Sequence, residues 1–130
     1  MATEQPIMDV TYEAYTNLAA YQFHFVKFTS DRTVTIIGAL GTDKPCGVLQ
    51  NAPAAAGAAA IVRVMGASKV IFANTYTAGT MISSDAYGHA ITVNVGTNTT
   101  YYLAGQVAEG ADADELGSVN LNCATVCRAA

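Results

Sequence analysis

The stretch Gly47-Val-Leu-Gln-Asn-Ala-Pro-Ala-Ala-Ala-Gly-Ala-Ala-Ala-Ile-Val-Arg-Val-Met-Gly66 constrains the fold more than any other part of this chain. Two apolar runs of β type flank a turn of small residues, and no reactive side chain lies between them. The same grammar returns where Gly105-Gln-Val-Ala-Glu-Gly leads through the acidic turn Ala-Asp-Ala-Asp-Glu into Leu116-Gly-Ser-Val-Asn-Leu-Asn-Cys123. Hairpin-like units of this kind describe a framework that binds and holds. The match between the two units is loose enough that turn logic common to all-β chains accounts for it as well as a duplication does.

Around these units the chain reads as a series of short strands. In Tyr21-Gln-Phe-His-Phe-Val-Lys-Phe28 strict alternation puts Tyr21, Phe23 and Phe25 on one face, which predicts three core rings. Thr29-Ser-Asp-Arg32 marks a turn into the β-branched run Thr33-Val-Thr-Ile-Ile37, so a hairpin is expected. Gly38, Gly41, Asp43 and Pro45 then break the chain before a short strand over 47–50. Alanine favours helix over 52–60, and Asn51 with Pro53 resembles a helix start, but Gly57 interrupts the run. A turn is expected there, with at most one helical loop, feeding a strand over 59–65 that presents Val62 and Val64 on one face and Ile61, Arg63 and Met65 on the other. Gly66-Ala-Ser separates this from a strand over 69–72. Strands near 80–83 and 89–95 flank the turn Asp85-Ala-Tyr-Gly88, and another runs through 100–108. Turn signals about every 8 to 12 residues indicate a small single-domain β-barrel or sandwich over residues 21–130. Residues 1–20 show no sustained period, and Pro6, Ile7, Met8, Val10, Tyr12 and Tyr15 make them richer in apolar and tyrosine side chains than a solvated tail. They read as an extended N-terminal arm, with a short helical turn around 15–20 as an option.

Composition narrows the function. Hydrophobic residues make up 52% of the 130 and charged residues only 12%, about half the globular average. So few charges imply surface covered by other subunits or a partner, the alternative being an alanine-rich monomer with a bland exterior. The net charge of −4 and six basic residues argue against a phosphate-binding face, so no direct nucleic-acid partner is expected. No apolar run is long enough to cross a membrane, and Met1-Ala-Thr-Glu-Gln-Pro lacks a basic region followed by an apolar one, so assembly in the cytoplasm is expected.

Chemistry is thinly supplied. Cys46, Cys123 and Cys127 are an odd set, better read as free thiols than as a disulfide framework; zinc on Cys123 and Cys127 with His24, His89 or Cys46 lacks a second tight pair of ligands. His24 lies in an aromatic strand and His89 follows a turn, without the nucleophile and orienting group that catalysis needs. Arg63, alone among apolar residues, reads as a salt-bridged or snorkelling side chain ahead of a ligand contact. Asp112, Asp114 and Glu115 form an acidic loop able to meet a partner, without the ligand spacing of a calcium hand. No catalytic residue, cofactor or metal site is assigned, and no enzymatic activity is expected.

Several of these segments together carry a family likeness: 21–28, Gly47-Val-Leu-Gln-Asn-Ala-Pro53 with its Ala-Gly turn and Val62-Arg-Val-Met-Gly66, Thr77-Ala-Gly-Thr-Met-Ile82, Asp85-Ala-Tyr-Gly88, and Gly105-Gln-Val-Ala-Glu109. Over about residues 20–128 the chain resembles the capsid decoration, or cement, proteins of tailed bacteriophages. That resemblance implies a β-rich, β-tulip-like domain on the outer surface of the virion, bound to the major capsid protein and stabilising its lattice, commonly as homotrimers where capsid subunits meet. It brings no catalytic residues. It also implies that the arm, through Pro6, Ile7, Met8, Val10, Tyr12 and Tyr15, contacts the shell, with Arg63, Asp112, Asp114 and Glu115 as further subunit or capsid contacts. The competing reading is a small β-barrel host-surface or carbohydrate-binding module, since exposed tyrosines suit sugar stacking.

Overall fold

Local preference for extended backbone governs the whole molecule. A computed structural model describes residues 2–129, and among them there are strands and turns but no helix. Eleven strands follow in order: β1 (Gln5–Ala14), β2 (Phe25–Ser30), β3 (Thr33–Ile36), β4 (Gly47–Leu49), β5 (Ala59–Ile71), β6 (Met81–Ser84), β7 (Ala90–Thr92), β8 (Tyr102–Leu103), β9 (Gly105–Glu109), β10 (Leu116–Asn122) and β11 (Cys127–Arg128). Nine form one sheet in the order β1-β3-β2-β4-β5-β10-β9-β6-β7, and β8 pairs separately with β11.

The long strand β5 organises this sheet. Along one edge it takes β4 through Val48↔Arg63 and Leu49↔Val62, then β10 through seven pairs from Asn122↔Met65 to Leu116↔Ile71. Along the other edge it takes β1 antiparallel, from Glu13↔Ala59 to Gln5↔Ala67. Because β1 also pairs in parallel with β3, the pairings β1-β3-β2-β4-β5 run round in a cycle, while β10, β9, β6 and β7 extend from it as an open sheet. The result is a sandwich-like β fold and not one closed barrel.

Two cores follow from this geometry. Leu18, Val26, Val34, Leu49, Ala60 and Val62 fill the inside of the strand cycle. Phe25, Val48, Val70, Phe72, Ile82 and Val119 fill the larger space under the open sheet. Neighbouring residues of β2 and β4 thus face different cores, which is why the adjacent pairs Phe25-Val26 and Val48-Leu49 are both apolar. Burying each large apolar side chain contributes about 1.5–3 kcal/mol.

Four expectations need correction. Residues 5–14, read as part of an arm without a period, form β1 and are hydrogen-bonded into the molecule's own sheet; its main chain satisfies β5 while most of its side chains remain exposed, so no alternation marked it. The helical option at 15–20 is not taken. The strands expected at 59–65 and 69–72 are one, since Gly66 bends β5 without ending it. Gly66 has φ 109°, and a Cβ there would lie 2.5 Å from the Gln5 carbonyl oxygen. Opposite it, the register of β1 slips between Pro6 and Met8, leaving Ile7 as the extra residue of a bulge. The predicted triple of core rings also fails: His24 N–H donates to the Tyr21 carbonyl in a turn and Phe23 has φ 65°, so the alternation is broken and only Phe25 is fully buried.

Candidate interaction surface

The β1 segment presents the most conspicuous exposed apolar groups. Ile7, pushed outward by the bulge, is 74% exposed and Tyr15 60%; Pro6 and Met8 are also at the surface. Val10 and Tyr12 point the other way, half-buried against the larger and the smaller core respectively. Tyr12 additionally meets Phe28 edge-on at 4.9 Å and lies under the Arg32 guanidinium at 5.3 Å. Of the six arm residues expected to reach the shell, four are presented outward and two are engaged within the fold. Beside Ile7 runs a groove of about 350 Å³ lined by Gln5, Gly66, Ala67, Asn120 and Leu121. A second hollow, about 440 Å³, lies between Tyr12, Glu13, Asp31 and Arg32.

Arg63 is turned inward and is only 6% exposed. It stands directly across from Asp9 in the β1–β5 register. Its Nε and Nη2 donate to the two Asp9 carboxylate oxygens at 2.8 and 3.1 Å, and Nη1 donates to the Ala67 carbonyl at 3.0 Å. Glu4 adds a second carboxylate at 3.7 Å from Nη1. This two-pronged ion pair ties β1 to β5 and, with the Ala67 carbonyl, engages three of the five Arg63 N–H donors. Asp9 is the structural counterpart that sequence reasoning missed; nothing local ties it to a residue in another strand.

The acidic turn behaves differently. Asp112, Asp114 and Glu115 are all exposed, with Thr75 Oγ1 donating to Asp112 at 3.3 Å and the Asp114 N–H to the Phe72 carbonyl. Among the described residues no three His, Cys, Asp or Glu side chains converge as metal ligands. Cys46 and Cys123 are buried in the smaller and larger core, and Cys127 is exposed. Burial pushes the Cys46 thiol up to about 12 and raises Cys123 further, so both are protonated and poor nucleophiles at neutral pH.

Asp43, which the sequence marked only as part of a breaking loop, holds that loop together. Its Oδ2 accepts from Lys27 Nζ at 2.8 Å and from the Gly38 and Ala39 amides at 2.9 Å. Burial alone would raise its carboxyl, but these donors outweigh it and hold the group below its ordinary value.

No family model matches the chain, and no curated protein does. Among solved structures it is similar to the N base of the head fiber gp8.5 of bacteriophage phi29, with a TM-score of 0.60 at 18% identity over 89% of this chain and 94% of that one. The two share a fold across nearly their whole lengths.

Proposed function

We propose that the protein is a structural component of a tailed-phage virion that attaches to the outside of the head and reinforces the major capsid protein lattice as a cement protein. The observation that carries this reading is the shared fold with a head-fiber base, which spans nine-tenths of each chain. The low charge and the exposed Pro6, Ile7, Met8 and Tyr15 support it, because they offer apolar area for a large partner in place of a small-molecule pocket. In this reading the β1 segment and the groove beside Ile7 seat on the shell, and the exposed Asp112, Asp114 and Glu115 face a neighbour. Homotrimers at capsomer junctions would multiply each weak contact by avidity. A protein that binds the assembled lattice better than its separated subunits stabilises that lattice by mass action.

The test is co-sedimentation of purified protein with undecorated heads of the phage that encodes it, beside the variant Ile7→Asp. Wild-type protein is expected to pellet with heads to a saturating ratio, and Ile7→Asp to remain in the supernatant with an unchanged circular dichroism spectrum. Failure of the wild type to pellet overturns the attachment. Equal pelleting of the variant overturns the placement of the contact on β1.

A further inference from the structure

The structure brings together two histidines far apart in sequence. His24 closes the turn that enters β2, and His89 follows the Asp85–Gly88 turn that joins β6 to β7. Their rings lie 5.0 Å apart. This contact joins the strand cycle to the far end of the open sheet, two regions that the sheet order separates by four strands, β4, β5, β10 and β9, between β2 and β6.

The backbone shows how closely the two turns are fitted. The Phe25 N–H donates to the Gly88 carbonyl at 2.8 Å. Gly88 has φ 80°, and a Cβ on it would lie 2.8 Å from the Phe25 carbonyl oxygen and 3.1 Å from the His24 Cβ. The Asp85 carboxylate shapes the second turn: its Oδ1 accepts from the Tyr87 and His89 amides, each at 2.8 Å. Its other oxygen is 3.7 Å from His89 Nδ1.

Charge decides what this arrangement tolerates. His24 Nδ1 sits 3.1 Å from the Gln22 carbonyl, which fixes its proton on Nδ1 in the neutral ring, so a second proton must go to Nε2. The groups facing the pair are Tyr21 at 5.5 Å from the His24 ring, Tyr87 at 6.4 Å from the His89 ring, and Asp85. From β5, Lys69 extends over the neighbouring Phe23 ring, and from β3 the apolar Ile36 packs against Gly88. One carboxylate thus faces two imidazoles, with a lysine as the other nearby charge. A single cation is compensated by Asp85; two cations about 5 Å apart are not.

We propose that His24 and His89 form a proton-operated clasp that holds the β6–β7 turn against the entry to β2 at neutral pH and releases it on acidification. Burial, with the charge of His89 adding to it against opposing hydrogen bonds from Gln22 and Tyr21, holds His24 below its ordinary 6.5. The sign follows: a histidine whose folded value is depressed contributes stability fully present above 6.5 and lost as pH falls toward the folded value. Opening frees the Phe25 amide and Tyr87, which is already 71% exposed at the tip.

Amide hydrogen exchange read by NMR tests this without reference to any capsid. Between about pH 7.5 and about pH 5.5 the protection factor of the Phe25 amide is expected to fall several-fold as the second imidazole takes up its proton. The Cys123 amide, which donates to Val64 in the core, serves as the reference and keeps its protection. His24→Gln and His89→Gln should each remove the acid-dependent fall at Phe25; if one does not fold, the other decides. Equal falls at Phe25 and Cys123, or a fall that persists in the folded variants, overturn the clasp.

Discussion

Replacing Asp9 with alanine strands the Arg63 guanidinium inside the sheet, and the cost can be worked from the contacts. The substitution removes two charge-assisted hydrogen bonds of 2.8 and 3.1 Å. Breaking a fully buried pair by deleting one member costs about 3–5 kcal/mol. Here the Arg63 side chain is 7% exposed but that of Asp9 is 30% exposed, so water enters from the Asp9 side. Arg63 also keeps the Ala67 carbonyl at 3.0 Å and Glu4 at 3.7 Å. The discounted loss is about 2 kcal/mol, which at this chain length lowers Tm by about 6–8 °C. Arg63→Met should cost less, because the orphaned Asp9 carboxylate reaches solvent whereas an orphaned Arg63 does not. The double variant should be more stable than Asp9→Ala alone, with a coupling of about 1 kcal/mol or more. Calorimetry or circular dichroism melts on all four proteins close the cycle. A Tm for Asp9→Ala within about 1 °C of wild type, or single effects that simply add, would refute the claim that this pair holds β1 to β5.

Two further outcomes follow from other contacts. Asp43→Ala should cost about 1–3 kcal/mol at neutral pH by orphaning the Gly38 and Ala39 amides and Lys27; because the Asp43 carboxyl is held below its ordinary 3.8, its contribution is present above that pH and lost as pH falls through the folded value, so wild type and variant melts should converge in acid. Gly117→Ala would set a Cβ 2.3 Å from Cζ of the fully buried Phe72, an overpacking expected to cost about 1–3 kcal/mol and to be relieved in part by Phe72→Leu, as paired urea melts of the single and double variants would show.

Sequence alone determined the class of backbone and the positions of most reversals. The β-branched runs at 33–37 and 59–65 became β3 and the first half of β5, and the Asp85-Ala-Tyr-Gly88 and 110–115 turns lie where their residues put them. Such features are local: a strand's alternation and a turn's φ demands are encoded in neighbouring residues. The low charge, too, was visible before any fold, and with it the expectation of a covered surface.

Tertiary structure decided everything that depends on which strands meet. Main-chain hydrogen bonding across strand edges has little side-chain code, so no pattern in residues 5–14 announced that they would pair with β5. Once they did, Asp9 met Arg63 across 54 residues and gave the expected salt-bridged arginine its partner. The Gly66 bulge then turned Ile7 outward, while Val10 and Tyr12 were drawn toward the cores. The alternation at 21–25 misled because it presumed extended backbone where Phe23 takes φ 65°. That same turn, closed against Gly88, is what sets His24 beside His89, a proximity that only the return of the sheet's far end onto β2 creates.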